Sequence, residues 1–210
     1  MNWEAWRDPS CAETMLVMYL YSIEPPFYGE LNTASRDELW KQDPNILNTL
    51  GPFACALFWA VNAAQKKRDP PPILFPSLPH DNFRRAYNVF RGSKMMDEWV
   101  SKWSEAIGGD YFECPGLLST SRDPAVAIHT FIGNLTDEDH KNGKEAFLWI
   151  FTVTSNVCLF SLDSSEYSAY PGEREVLLME GREVYVLGRE KIFSTRFGMS
   201  YNVFYCRTFL

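Results

Sequence analysis

The sequence has no apolar run approaching the roughly 20 residues a membrane-spanning helix requires. The longest such stretch, Gly51 to Ala64, is interrupted by Asn62 and reads better as a buried helix. Met1 to Ser10 lacks the basic, apolar, small-residue order of a secretory signal, so a soluble chain is expected, with no membrane span. The five cysteines, Cys11, Cys55, Cys114, Cys158 and Cys206, form no C-x-x-C pair and suggest no zinc site. Buried free thiols in a reducing compartment are expected; a Cys11–Cys206 disulfide near the two ends is the alternative and would indicate an oxidising location. Only three histidines occur, His80, His129 and His140, without metal-ligand spacing, so no metal is expected. Basic residues are the minority, 20 against 27 acidic, and the net charge of −7 would repel phosphate backbones. Nucleic acid is therefore not an expected partner, although net charge leaves room for a local basic groove.

What is present is the material of one folded domain: 210 residues, 46% hydrophobic and 15% aromatic. Ser10 precedes Glu13 by three positions, a capping-box pattern that predicts a helix from Cys11 to Ser22, ended by Pro25 and Pro26. A second short helix is expected in PFYGELNTASRDEL, opened by Pro26, and a third from Pro52 to about Lys66 or Lys67, with Pro70 to Pro72 as its exit. Beyond this, β-rich segments take over: AYNVFR, YFECPGLLSTS, AFLWIFTV, NVCLFSL, REVLLM, EVYVLG and NVFYC. Two helices interrupt them. MMDEWVSKWSEAIG places Met95, Met96, Trp99 and Trp103 at helical, core-facing spacing, and DPAVAIHTFIG opens with Asp123 as cap and Pro124 in the first turn. The fold class is α+β: one domain over 1–210, mainly helical in 1–80 and sheet-based in 81–210.

Three polar stations stand on or beside these strands. Arg91-Gly92 ends AYNVFRG, where a glycine admits close approach to the backbone; a solvated strand-end arginine is the alternative. Ser119-Thr120-Ser121 follows an apolar stretch, and alternation puts Ser119 and Ser121 on one face with Thr120 opposite. No His or Lys is spaced to activate these serines, so they are not read as nucleophiles. Glu173-Arg174-Glu175 follows the turn Pro171-Gly172 and precedes Val176 to Met179; if extended, it would hold both carboxylates on one side. Such a pair is either a solvated strand start or, in a cleft, a device for holding positive charge.

Taken in order, the strand-end Arg-Gly, the Ser-Thr-Ser strand and the Glu-x-Glu ahead of an aliphatic strand resemble the R-S-E class of mono-ADP-ribosyltransferases. The stretch YPGEREVLL is similar to that family's turn into the catalytic strand, in the two-glutamate form associated with arginine acceptors. LYSIEPPFYGELNTASRD is similar to the N-terminal region of arginine-specific members, so the likeness runs from Ala12 to Phe193. It implies two small, mostly antiparallel sheets forming an NAD cleft, with helices against one side. No G-x-G-x-x-G follows a strand, in keeping with a fold other than the doubly wound dinucleotide type.

The resemblance implies that NAD is split and its ADP-ribose passed to an arginine of a target protein. Glu175 would stabilise the cationic sugar, Arg91 would pair with an NAD phosphate, and the Gly92 backbone would meet the nicotinamide carboxamide. Ser119 and Thr120 would belong to the NAD site, Ser119 holding Glu175 in place. Glu173 would orient the acceptor arginine, with Tyr170 lining the acceptor site. A monomer acting in its own cytosol, or a secreted effector acting in a host cytosol, fits this reading. The alternatives are an NAD glycohydrolase and a catalytically silent domain that binds NAD or a partner.

Overall fold

The computed structural model describes residues 12–23, 31, 43–57, 87–96, 101, 103–105, 107–108, 111–113, 117–153, 159–162, 168–178, 183–196 and 198–209. The expectations for Ser10, Cys11, the segment from Pro25 to Leu39 apart from Leu31, Lys66, Lys67, Pro70 to Pro72, His80, Trp99, Cys114 and Cys158 lie outside the described residues. The chain divides into two compact units interleaved in sequence: Met1–Asp81, Pro115–Leu118 and Cys158–Gly181 in the first, Asn82–Cys114, Ser119–Val157 and Arg182–Leu210 in the second. Among the described residues no helix is long and apolar enough to cross a membrane.

In the first unit the helix Ala12–Ser22 forms where the sequence predicts it. Val17, Met18 and Tyr21 are buried; Tyr21 stands three and four residues after the other two, the intervals that share a helix face. They pack with Leu31, Ala54, Leu57, Leu117, Leu162 and Leu177 into one core. Helices at Pro44–Thr49 and residues 51–57 follow; the first of these has no counterpart among the sequence expectations. Strands β5 (Leu159–Ser161) and β6 (Glu175–Leu178) pair antiparallel, and all four β6 residues are buried. Ser22 Oγ accepts from Ala169 N at 2.8 Å, which ties the end of the first helix to the segment leading into Tyr170.

The second unit is a sheet in the order β2-β7-β8-β4-β1-β3. Its strands are β1 (Tyr87–Met96), β2 (Phe112–Glu113), β3 (Leu118–Ser121, entered from the first unit), β4 (Lys144–Val153), β7 (Glu183–Ser194) and β8 (Met199–Phe209). Neighbours are antiparallel except β4 and β8, which are parallel. Alternation along β4 separates two apolar layers. Ala146 and Leu148 join Tyr201, Val203, Ala127, Ile128 and Ile132 on one side. On the other, Trp149 stacks with Phe147 and Phe151, and both Phe147 and Trp149 stack with Phe204 of β8, the Trp149 and Phe204 centroids 4.7 Å apart. Each fully buried side chain of this size contributes about 1.5–3 kcal/mol.

Several sequence expectations change. The strand expected to end at Arg91 continues to Met96, so Met95 and Met96 belong to β1 and not to a helix; they pair with Glu145 and Lys144. Strand pairing along the whole of β4 overrides the helical spacing of these methionines. Trp103 is half-buried and packs edge-on against Trp149, the ring centroids 4.1 Å apart. The segment YFECPGLLSTS yields two separate strands, β2 and β3. Cys206 is buried, as expected, whereas Cys55 is a free thiol that is exposed.

Candidate functional site

Arg91 lies in the middle of β1, on the face that carries the aromatic stack. Residues directly opposite one another in a sheet share a face, and Arg91 pairs with Trp149, Trp149 with Phe204, and Phe204 with Arg189. The result is a row across four strands, with an arginine at each end and two stacked rings between. Trp149 Nε1 donates to Ser93 Oγ at 3.2 Å, satisfying its buried N–H. Arg189 lies 5.9 Å from the Phe204 ring centre and donates to Ser104 Oγ and Asn202 Oδ1.

Strands β1 and β3 meet at a single register position, Phe90 opposite Ser121. Continuing that antiparallel register would set Gly92 against Ser119. Instead the ladder stops, and Arg91 Nη1 donates to the Ser119 carbonyl oxygen at 2.7 Å. A side chain thus replaces a strand–strand contact where the two strands part. The other N–H groups of Arg91 form no hydrogen bond among the described residues, and the side chain is partly exposed. A guanidinium held by one arm with donors to spare suits a planar, bidentate anion such as phosphate.

Ser119, Thr120 and Ser121 are all buried, so both faces of β3 are covered here. Ser121 Oγ accepts from Asp123 N at 3.0 Å, and Asp123 Oδ1 from Ala125 N at 2.9 Å, which confirms Asp123 as the cap of the helix Pro124–Val126. The expected α-helix then widens into a π-turn, Ala127–Ile132. Gly92 is buried beneath it. A Cβ on Gly92 would lie 1.9 Å from the Ala127 carbonyl oxygen and 2.8 Å from Ile132 Cγ1. The close approach that the glycine permits on this side is therefore made by the protein's own helix.

Tyr170, Glu173 and Glu175 belong to the first unit, and Arg91, Gly92, Ser119 and Thr120 to the second. Glu173 and Glu175 do not share an extended segment: Pro171–Glu173 is a 3-10 turn, Arg174 takes a left-handed conformation (φ 49°), and β6 begins at Glu175. The alternation rule therefore does not apply across this pair. Glu175 is 7% exposed at the head of the aliphatic strand, its carbonyl accepting from Leu162 N at 2.7 Å; Glu173 is half-buried and Tyr170 exposed. A left-handed non-glycine residue is costly for its backbone and concentrates at sites where geometry matters. The structure thus joins Arg91 to Ser119 directly, and it buries Glu175 at the head of β6.

Sequence reasoning missed a second polar cluster. Thr136 and Asp139 form a reciprocal capping box at the helix Asp137–Lys141, and Asp139 also accepts from Lys94 Nζ at 2.9 Å and Lys144 Nζ at 3.3 Å. The Thr136 backbone N–H, followed by Lys94, holds the Asp139 carboxyl well below the usual carboxylate range. The Thr-x-x-Asp spacing was its signal; within Asn134-Leu135-Thr136 the threonine is a helix cap. Glu145 also lies below its ordinary value: burial pushes it up, but hydrogen bonds from Asn202 and Lys191 outweigh that. A half-open cavity of about 500 Å³ beside these groups is lined by Asn134, His140, Lys144, Glu145, Lys191 and Ser200 among others, and by none of the sequence-predicted site residues. Among the described residues no cluster of His, Cys, Asp or Glu could hold a metal ion.

No protein-family model and no curated protein matches the sequence. Solved structures do match. The Vis toxin, an ADP-ribosyltransferase from Vibrio splendidus, superposes with a TM-score of 0.62 at 16% identity, over 98% of this chain and 76% of that one. A further structure of Vis, in complex with agmatine, gives 0.55 at 18% identity over 94% and 74%. HopU1, an ADP-ribosyltransferase of Pseudomonas syringae pv. tomato, gives 0.61 at 14% over 93% and 76%. C3stau2 from S. aureus, solved with NAD, gives 0.60 at 16% over 94% and 87%. The chain has the fold of the ADP-ribosyltransferase toxins, an α+β architecture, as the sequence led us to expect.

Proposed function

We propose that the protein is an NAD-dependent mono-ADP-ribosyltransferase that modifies arginine side chains of another protein. The observation that carries the reading is a buried glutamate, Glu175, heading an aliphatic strand in a chain of this fold, together with an arginine locked to the Ser-Thr-Ser strand. NAD is the substrate: its pyrophosphate suits the spare donors of Arg91, and its nicotinamide–ribose bond is the one that breaks. As nicotinamide leaves, positive charge builds on the sugar, and a fixed carboxylate stabilises it most where water is excluded. Glu175 supplies that carboxylate. Ser119 and Thr120 complete the NAD site, with the Gly92 backbone beside it.

Glu173 distinguishes transfer from hydrolysis. A guanidinium is always protonated in water and must be oriented and relieved of a proton before its nitrogen attacks carbon. A half-buried carboxylate set by a 3-10 turn is suited to that task, with Tyr170 at the surface beside the acceptor. Agmatine, present in a Vis structure, carries the same guanidinium group as arginine, which supports this acceptor class. The toxin neighbours support a role as an effector acting on proteins of another cell.

Incubation of the purified protein with NAD and agmatine tests the reading by mass spectrometry. Free nicotinamide and an ADP-ribosyl-agmatine adduct are expected. Nicotinamide with free ADP-ribose alone would make the protein a glycohydrolase, and no release of nicotinamide would overturn the enzymatic reading.

A further inference from the structure

The Ala127–Ile132 π-turn needs a reason. Such turns make up well under 1% of residues in proteins and occur mostly as single insertions in helices, frequently at functional sites. Its buried residues are Ala127, Ile128 and Ile132. In an α-helix, positions five apart point about 140° away from one another. The widened turn, closed by Gly133 N–H onto the Ile128 carbonyl at 2.9 Å, brings Ala127 and Ile132 to the same spot. That spot is Gly92, where both would collide with a Cβ.

The contacts around it close a ring. Arg91 holds the Ser119 carbonyl; Ser121 accepts from Asp123; Asp123 caps the first turn through Ala125 and accepts from Ala127 N at 3.2 Å; and the Ala127 carbonyl rests on Gly92, the residue after Arg91. Every link lies within one unit. Arg91 and Gly92 face opposite sides of β1, so pressure on Gly92 from the helix side sets the height at which the Arg91 side chain leaves the strand.

We infer that the π-turn seated on Gly92 is a positioning device for Arg91: Ala127 and Ile132 fix the β1 backbone so that the guanidinium presents its spare donors to the phosphates of NAD. Gly92 then serves NAD through its missing side chain as well as through its backbone. The inference rests on the reading of Arg91 as the phosphate-binding residue.

Gly92→Ala is the perturbation. Its Cβ requires β1 and the π-turn to separate by about 1 Å or more, and a displacement of that size in a binding group lowers its contribution by up to about 100-fold. Steady-state nicotinamide release should show KM for NAD raised at least about tenfold, with kcat changed by less than about threefold. A double-mutant cycle separates positioning from general damage. With Arg91→Lys already present, Gly92→Ala should raise KM by no more than about twofold. An equal factor in both backgrounds overturns the inference, as does a lowered melting temperature with KM unchanged. If Arg91→Lys alone leaves KM unchanged, the reading of Arg91 fails, and the inference with it. Should Gly92→Ala not fold, deletion of the exposed His129 returns the turn to α-helical spacing and should raise KM in the same coupled way. A folded deletion variant with the parent's KM overturns the inference.

Discussion

Replacing Arg91 by lysine keeps the charge and removes the fork, and the structure says what that costs. One arm of the guanidinium, Nη1, is held on the Ser119 carbonyl at 2.7 Å, and the remaining donors are available to a ligand. A lysine has one ammonium on a longer, more flexible stem. Its single nitrogen cannot both hold the Ser119 carbonyl as Nη1 does and present a planar fork to a phosphate. One charge-assisted hydrogen bond is lost, worth about 1.5–3 kcal/mol. At 1.4 kcal/mol per decade that is roughly a 10- to 150-fold rise in Kd for NAD. Isothermal titration with NAD at fixed salt measures it, with nicotinamide alone as the second titrant. Affinity for nicotinamide, which has no phosphate, should be unaffected. Equal NAD affinity for Arg91→Lys and the parent, or an equal loss for NAD and nicotinamide, would refute the reasoning.

Glu175→Gln preserves shape and removes the charge that we propose stabilises the sugar, so nicotinamide release should fall about 10²- to 10³-fold, equivalent to about 2.7–4 kcal/mol; turnover within a few-fold of the parent contradicts the assignment. Glu173→Gln should reduce adduct formation on agmatine far more than NAD hydrolysis. A parallel loss of both would mean that Glu173 serves NAD instead of the acceptor. Asp139 has a folded-state pKa depressed below its unfolded value of about 3.9, so its contribution to stability is present above that pH and disappears as pH falls through the folded value. Asp139→Asn should therefore lose less of its urea midpoint than the parent between about pH 5 and pH 2.5. Matching slopes would show that the capping box with Lys94 and Lys144 is not a source of acid sensitivity.

The features legible in the sequence were those with a local signature. A β-rich apolar run located β4, Asp123 as cap with Pro124 in the first turn located a helix start, and Pro171-Gly172 located the turn before β6. What escaped depends on distant partners. Nothing local in Gly92-Ser93-Lys94 favours a strand; β1 continues through them because β4 offers a paired edge as far as Lys144. The π-turn exists where a glycine 35 or more positions away leaves a gap, and no periodicity within Ala127–Ile132 encodes that. Glu-x-Glu spacing suggested an extended pair, but Arg174 in its left-handed conformation breaks the alternation. The Arg91–Ser119 bond joins a side chain to a carbonyl, which every residue type carries, so the sequence could nominate both positions without showing how they meet.

The most direct measurement is transfer itself. The purified protein, isotopically labelled NAD and a mixture of cellular proteins are incubated, and modified peptides are mapped by mass spectrometry, with Glu175→Gln in parallel. ADP-ribose on arginine side chains, absent in the variant, is the predicted result. Unmodified protein in both samples, or label on another residue type, would contradict the account.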